Sequence, residues 1–325
     1  MPIPSGDMPP YDKARALSDL RGAGRVALLM APRLGDTLLM MTLAQNLAVH
    51  GRQVTVFGDY VHALREWFPT MDVRPSLPQA QARDTLAAFD CVGQMHIGWP
   101  YTLHDCHDRY FYYDAHVVVT GRGFVKLFQI RDFCRDELSL PGATTDNALQ
   151  PLNRAAHRSS PGRIVLHPTS TEALRCWAPQ HFEALGLRLL KDGYEPNFLV
   201  APHERAEWTF LRDAGLKVPE LASLSDVATL IHASGWFIGN ESGLGHLASN
   251  LGVPTLSVTG RPTRTKAWRP AWATSRIVYP AYIPGGRWRD RLWRHWLSPR
   301  SVMWAFRRLQ QDDRRNPVVP PWTAA

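Results

Sequence analysis

The stretch GNESGLGHLASNLGVPTLSVTG, residues 239–260, decides how the whole chain reads. Ahead of it, Trp236, Phe237 and Ile238 form an apolar run fit for a strand. Within it, glycines, a serine, a carboxylate and a histidine crowd into seven residues before an apolar helical pattern begins, and a second short run fit for a buried strand follows. In open α/β sheets, ligands sit beyond the carboxyl ends of strands, where loops lead into helices, and residues 239–245 occupy such a place. Glycines let the backbone approach a ligand closely. The first amides of a helix have no internal partner, and its dipole adds about half a positive charge there. Ser242 supplies a hydroxyl donor. Such a turn seats a diphosphate, whereas Glu241 would repel phosphate and is suited to accept hydrogen bonds from ribose hydroxyls. The plain alternative is a helix N-cap at Asn240 or Ser242, with glycines that only permit a tight turn.

The same grammar recurs upstream. Residues 26–30 are a short apolar run and 32–36 a turn. Leu39, Leu43 and Leu47 then mark one face of a helix beginning at Leu38. Gly51 stands where a C-cap belongs, and 54–57 resume strand character, so 25–60 is a βαβ unit, whose handedness rule implies a parallel sheet. Residues 61–135 read less clearly, with strands expected at 90–92 and 116–119. A polar, proline-bearing break at 149–162 reads as a linker. Beyond it the pattern restarts: a strand at 163–166, a loop at 169–178, and a helix from Pro179 with Phe182, Leu185, Gly186 and Leu189 inward. A strand at 197–200 and a helix at 224–233 precede the opening stretch. The expected fold class is α/β, two doubly wound Rossmann-like domains facing across a cleft. Residues 1–24 read as a loose leader, 25–150 as the first domain, 151–285 as the second, and 286–325 as a basic helical tail rich in Trp and Arg.

Bulk properties set the bounds. The chain has 325 residues, 45 % hydrophobic and 20 % charged, enough for two ordinary domains and neither disordered nor fibrous. No apolar run approaches the roughly 18 residues of a membrane span, and the first residues lack a signal peptide's layout. Four cysteines without CxxC spacing fit reduced thiols in a cytoplasm. The net charge of +8 points to an anionic partner: nucleic acid, an anionic membrane face or a phosphorylated substrate. No GxGxxG follows residues 26–30, which argues against a dehydrogenase.

A second polar loop, HPTSTEALRCWAP at 167–179, also follows a strand and precedes a helix. It offers the hydroxyls of Thr169, Ser170 and Thr171, the guanidinium of Arg175, which is fit to pair with phosphate oxygens, and the indole of Trp177. Together with RLGDTLLMMTLAQNL at 33–47 and residues 239–263, this loop resembles the ADP-heptose:lipopolysaccharide heptosyltransferase family, bacterial enzymes of the GT-B type. The likeness extends from about residue 25 to 265. Members typically read Asn or Thr, then Asp, Ser or Thr, Gly, two variable residues, His and Leu; here the run is Asn240, Glu241, Ser242, Gly243, Leu244, Gly245, His246 and Leu247. Glu241 replaces the usual aspartate, Arg175 the usual lysine before the tryptophan, and Thr42 a common proline.

The resemblance implies an inverting, metal-independent transfer of a sugar, with ADP-heptose the expected donor, to a hydroxyl of a bacterial glycan or glycolipid such as lipopolysaccharide core. The implied alternatives are a related transferase with another nucleotide-sugar donor, or a non-catalytic nucleotide-binding scaffold. Donor binding falls to Gly35, Thr169, Ser170, Thr171, Arg175, Trp177, Glu241, Ser242, Gly243 and His246. The proposed base of the family falls at Asp36, brought over the donor by domain closure; the plain alternative is that Asp36 caps the first helix. His246 also reads as a packing residue. In the first domain, His96, His104, Cys106, His107 and His116 offer metal-ligand chemistry at no standard spacing, so no metal is expected, and the histidines and aromatics read better as an acceptor surface. Arg122, Lys126 and Arg131 are candidates for acceptor phosphates, or scattered surface charge. The tail from Gly286 interleaves Trp and Arg. It suits either packing, since family members return their last helix to the first domain, or a helix at the cytoplasmic face of the inner membrane. Single-strand nucleic-acid binding would need a module this chain lacks, so no nucleic-acid partner is expected.

Overall fold

The computed structural model describes residues 11–117, 124–260, 262–281, 287–320 and 322. The chain divides into two compact units, Met1–Gln150 and Pro151–Ala325.

The first unit holds a five-stranded sheet of β1 (Arg25–Leu29), β2 (Gln53–Phe57), β3 (Asp72–Arg74), β4 (Cys91–Gln94) and β5 (Tyr110–Tyr112), all parallel, in the order β3-β2-β1-β4-β5. β1 and β2 are each buried over their last four residues because helices cover both faces of a parallel sheet. The helix Leu34–Val49 is buried nearly all round, which is why no single apolar stripe marks it. It starts four residues before the expected Leu38. Within the loose leader expected over 1–24, residues 13–22 instead form the helix Lys13–Gly22, where the Asp12 side chain caps Arg15 N and Ala16 and Leu20 are buried; residues 1–10 lie outside the described residues. The strand expected at 116–119 is not formed at its start: Tyr113–His116 is a helical turn and the neighbouring strand is Tyr110–Tyr112, while residues 118 and 119 lie outside the described residues.

The second unit holds β6 (Ser160–His167), β7 (Glu195–Phe198), β8 (Ser234–Asn240), β9 (Thr255–Val258) and β10 (Ser275–Val278), again all parallel, in the order β10-β9-β8-β6-β7. The helix Pro179–Lys191 lies so close to β7 that a Cβ on Gly186 would sit 2.9 Å from the Phe198 ring, so glycine permits the contact. The basic tail is part of this unit. The helix Pro299–Arg315, capped by Ser298, buries Val302, Phe306 and Leu309 in the core cluster that includes Leu256, Val258 and Val278 of β9 and β10. Its apolar face is thus matched to the second sheet.

Each sheet has one point where strand order reverses, leaving a crevice at the carboxyl ends. In the first sheet it lies between β1 and β4, and in the second between β6 and β8. Both groups of chemistry-bearing residues stand at these two points.

Candidate active site

At the first crevice, the loop after β1 runs into the helix Leu34–Val49, whose N-cap, Arg33, makes no side-chain cap. Asp36 is in the first turn of that helix rather than ahead of it, so it is not the cap. Its Oδ2 lies 3.0 Å from Nε2 of His96, which stands on the loop after β4. The other ring nitrogen of His96 lies 2.8 Å from Asp114 Oδ2, and Asp114 Oδ1 accepts from Lys126 Nζ at 2.7 Å. Burial opposes charge on His96, but the hydrogen bonds and charges of Asp114 and Asp36 outweigh it and raise the pKa to about 9. Burial likewise opposes ionisation of Asp114, yet His96 and Lys126 hold its carboxyl below the usual range.

Lys126, expected to receive acceptor phosphates, is 1 % exposed, with its ammonium on Asp114 and over the Tyr113 ring. The basic spacing suggested a surface, but the first turn of its helix faces inward. Arg131 stays half-buried, paired with Asp132 and stacked on Phe128. Arg122 lies outside the described residues. The other histidines of the cluster go separate ways: His107 lies 2.7 Å from the Arg109 carbonyl, and His116 lies 2.9 Å from the Tyr11 hydroxyl and stacks on Phe111. Among the described residues no group of three or more His, Cys, Asp or Glu could hold a metal ion.

At the second crevice, the loop after β6 and the turn after β8 are tied together. Asn240, 1 % exposed, accepts the Trp177 N–H at 3.0 Å and donates to the Pro168 carbonyl at 2.6 Å. The Ser170 hydroxyl donates to the Glu241 carbonyl at 3.3 Å. Ser242 is the N-cap of the helix Gly243–Asn250, but its side chain makes no cap hydrogen bond, and its Oγ is buried without a partner among the described residues. Arg175 pairs with Glu172 at 2.7 Å through Nη2, while its Nε is also buried without a partner. Each of these two buried donors, on joined loops, can take an acceptor. The Glu241 carboxylate accepts from Thr265 Oγ1 at 2.9 Å, so Thr265 in turn accepts from Thr259, 2.9 Å away.

Trp177 is fully buried, its indole N–H on the Leu297 carbonyl at 2.8 Å, so it shapes the loop instead of facing a ligand. His246 is 7 % exposed and meets Trp272 edge-on. Thr169 is buried and Thr171 exposed on the same loop, and Gly243 opens the helix. Gly35, expected on the donor, belongs to the first unit, beside Asp36. Three supports escape sequence reasoning. Thr265 is one threonine in a short helix, Trp293 donates to the Leu174 carbonyl at 3.1 Å from far down the chain, and Asp114 carries no motif.

Among solved structures, E. coli ADP-heptose lps heptosyltransferase II matches with a TM-score of 0.67 at 14 % identity, over 89 % of this chain and 99 % of that one. E. coli heptosyltransferase WaaC with ADP gives 0.61 at 15 %, over 88 % and 98 %. The iron-containing dodecameric glycosyltransferase TibC from enterotoxigenic E. coli gives 0.51 at 16 %, over 90 % and 80 %. These likenesses establish the GT-B fold. No curated protein sequence matches the chain significantly. The model of glycosyltransferase family 9 (heptosyltransferase) matches residues 113–282, just over half of the chain. The protein therefore belongs to glycosyltransferase family 9, the heptosyltransferase family, and is a glycosyltransferase.

Proposed function

We propose that this glycosyltransferase moves heptose from ADP-heptose, with inversion and without a metal, to a hydroxyl of a bacterial surface glycan such as lipopolysaccharide core. The second unit serves as donor domain and the first as acceptor domain. One observation carries the reading: Ser242 Oγ and Arg175 Nε are buried donors without partners, at an uncapped helix N-terminus tied to a hydroxyl-rich loop. A nucleotide diphosphate supplies the missing acceptors, and its charge is favoured by the helix dipole and the guanidinium. As the bond to the sugar breaks, negative charge gathers on the departing diphosphate, where these groups stabilise it. Asp36 takes the proton of the acceptor hydroxyl as that oxygen attacks the anomeric carbon from the opposite face.

Titration with ADP, UDP and GDP, read by thermal shift and followed by transfer assays with the matching sugar donors, tests the reading. ADP is expected to raise the Tm most, and Ser242→Ala with Arg175→Met to abolish the rise. Absence of any nucleotide-dependent shift would end it. For the base, Asp36→Asn is expected to lower kcat about 10²–10⁴-fold while leaving nucleotide affinity intact. Parental turnover in that variant would refute the assignment.

A donor other than ADP-heptose is the second reading. It is favoured by Glu241, whose carboxylate reaches one carbon further than an aspartate and is drawn to Thr265. Preference for UDP or GDP in the same titration selects it. The acceptor is expected at an anionic membrane surface: Trp296 and Trp304 are 51 % and 59 % exposed, and the Arg308 guanidinium lies 5.1 Å over the Trp304 ring. Co-sedimentation with phosphatidylglycerol vesicles, lost in Trp296→Ala/Trp304→Ala, checks this. Equal pelleting of both proteins would count against it.

A further inference from the structure

Behind Asp36 lies a row of alternating charge that nothing above uses. It runs Asp36, His96, Asp114, Lys126, with successive distances of 3.0, 2.8 and 2.7 Å. His96 is the only one of the four whose two polar atoms both face carboxylates. An ionised carboxylate accepts hydrogen bonds and cannot donate them, so both ring nitrogens must carry protons. The row is then two anions and two cations, electrically balanced, with its far end sealed by Lys126 at 1 % exposure.

The imidazole is held by its surroundings as well as by charge. Gln94, fully buried at the end of β4, donates from its amide to the carbonyls of His96 and Tyr101, both at 2.8 Å, and accepts from Tyr101 N at 3.3 Å. The loop between is thus pinned at both ends. The Trp99 ring packs on His96 with centroids 5.4 Å apart, and the Arg33 guanidinium lies over the same indole at 5.1 Å. Asp114 is anchored by its own N–H on the Met95 carbonyl at 2.9 Å. His96 and Asp114, the middle of the row, are therefore anchored through their own backbone.

We propose that His96 is the positioning residue of the transfer base: its imidazolium, backed by Asp114 and Lys126, grips Asp36 through Oδ2 and so presents Oδ1 to the acceptor hydroxyl. Among the described residues Oδ1 makes no hydrogen bond, which leaves it for substrate. The imidazolium cannot itself receive the proton, because both nitrogens already hold one; its work is orientation. Misplacing a catalytic group by about 1 Å costs on the order of 10²-fold in rate. This inference rests on the reading of Asp36 as the base.

The charged and titratable groups facing His96 are Asp36 from the first helix, Asp114 with Lys126 behind it, and Arg33 across Trp99. Loss of the second ring proton would leave a lone pair against one carboxylate and release the grip. Turnover is therefore expected to fall at alkaline pH as the imidazolium deprotonates, near its pKa of about 9. The experiment has three arms on the full-length enzyme. In the first, ¹⁵N shifts of the His96 ring at pH 7.5 are expected to show both nitrogens protonated; a neutral ring overturns the proposal. In the second, His96→Gln keeps one neutral donor and is expected to lose about 10- to 100-fold in kcat, with donor KM nearly unchanged and without the alkaline limb of the parent. Parental kcat with the parental alkaline limb overturns the proposal. In the third, Asp114→Asn moves the alkaline limb to lower pH; an unmoved limb argues the same way. If Asp36→Asn retains full turnover, the base assignment itself fails. If Asp36→Asn is dead while His96→Gln is unimpaired, only the positioning role fails.

Discussion

Asn240 holds Trp177 in place: the buried carboxamide at the end of β8 accepts the Trp177 N–H at 3.0 Å, and with its other arm donates to Pro168 at 2.6 Å. One side chain thereby sets the distance between the loop after β6 and the N-terminus of the helix Gly243–Asn250. Asn240→Ala frees a backbone N–H and a carbonyl in a buried place, at a cost of about 1–3 kcal/mol each if left unmade. Asn240→Asp keeps the acceptor and loses the donor. We expect the Ala variant to lower the Tm and to raise the nucleotide Kd at least tenfold, with Asp intermediate. Calorimetry with ADP on both variants measures this, and unchanged affinity in Asn240→Ala would show that the loops are spaced by something else.

Thr265 gives Glu241 its bearing. Its hydroxyl donates to the carboxylate at 2.9 Å and is itself backed by Thr259. Thr265→Val keeps the shape and removes that hydrogen bond to a charged group, worth about 1.5–3 kcal/mol. If Glu241 binds ribose hydroxyls, nucleotide affinity is expected to fall about tenfold in Thr265→Val, while affinity for inorganic pyrophosphate stays constant. Equal loss for both ligands would place the effect on the phosphates instead.

How far the sequence reached follows from where the signals lie. The first βαβ unit was legible because its buried parallel strands carry short, largely apolar runs, VALL in β1 and VTVF in β2, with Gly51 at the end of the helix between them. The helix Pro179–Lys191 announced itself through Pro at N1, while the capping box of Ser223 and Asp226 that starts Leu224–Ala233 emerged only in the structure. The turn at 239–245 stood out because glycines and polar residues crowd there between two apolar runs. Trp177, by contrast, was expected on the donor because it lies in the polar loop that carries the resemblance, and only packing reveals that it is a post of the loop. Lys126 looked like surface for the mirror reason: its burial is made tolerable by Asp114, a partner 12 residues away that no periodicity marks. The short edge strands β3 and β5 are three residues each, too brief to show a pattern.

Gly260 follows β9, and the Trp293 indole lies against it so closely that any Cβ would overlap the ring. The same indole, 2 % exposed, donates to the Leu174 carbonyl and so braces the loop that carries Arg175. Gly260→Ala is therefore expected to push Trp293 aside, costing about 1–3 kcal/mol in overpacking. The Trp293→Ala variant, which leaves a cavity instead, is expected to cost about 3–5 kcal/mol. Urea denaturation gives both values. Gly260→Ala as stable as the parent would mean that the indole moves freely, and the bracing of the Arg175 loop would fall with it.

The row behind Asp36 has a consequence for stability that is independent of turnover. In the folded chain His96 has a pKa of about 9, above its ordinary 6.5. Below pH 6.5 both the folded and unfolded forms hold the proton, and the stabilisation is fully present. Between 6.5 and 9 the unfolded form loses its proton while the folded form keeps it. Stability then falls with rising pH by at most about 1.4 kcal/mol per unit, and above the folded pKa the contribution is gone. Asp114 acts in the opposite direction: its carboxyl is held below 3.8, so its contribution is present above that value and is lost as the solution becomes more acid. The difference in unfolding free energy between the parent and His96→Gln, measured in urea at pH 6, 7.5 and 9, isolates the histidine from every other group titrating in that range. We expect the difference to shrink steadily across the three values. A difference that stays constant would mean that the ring is neutral in the folded protein, and the two carboxylates would then have to share a hydrogen between them in some other way.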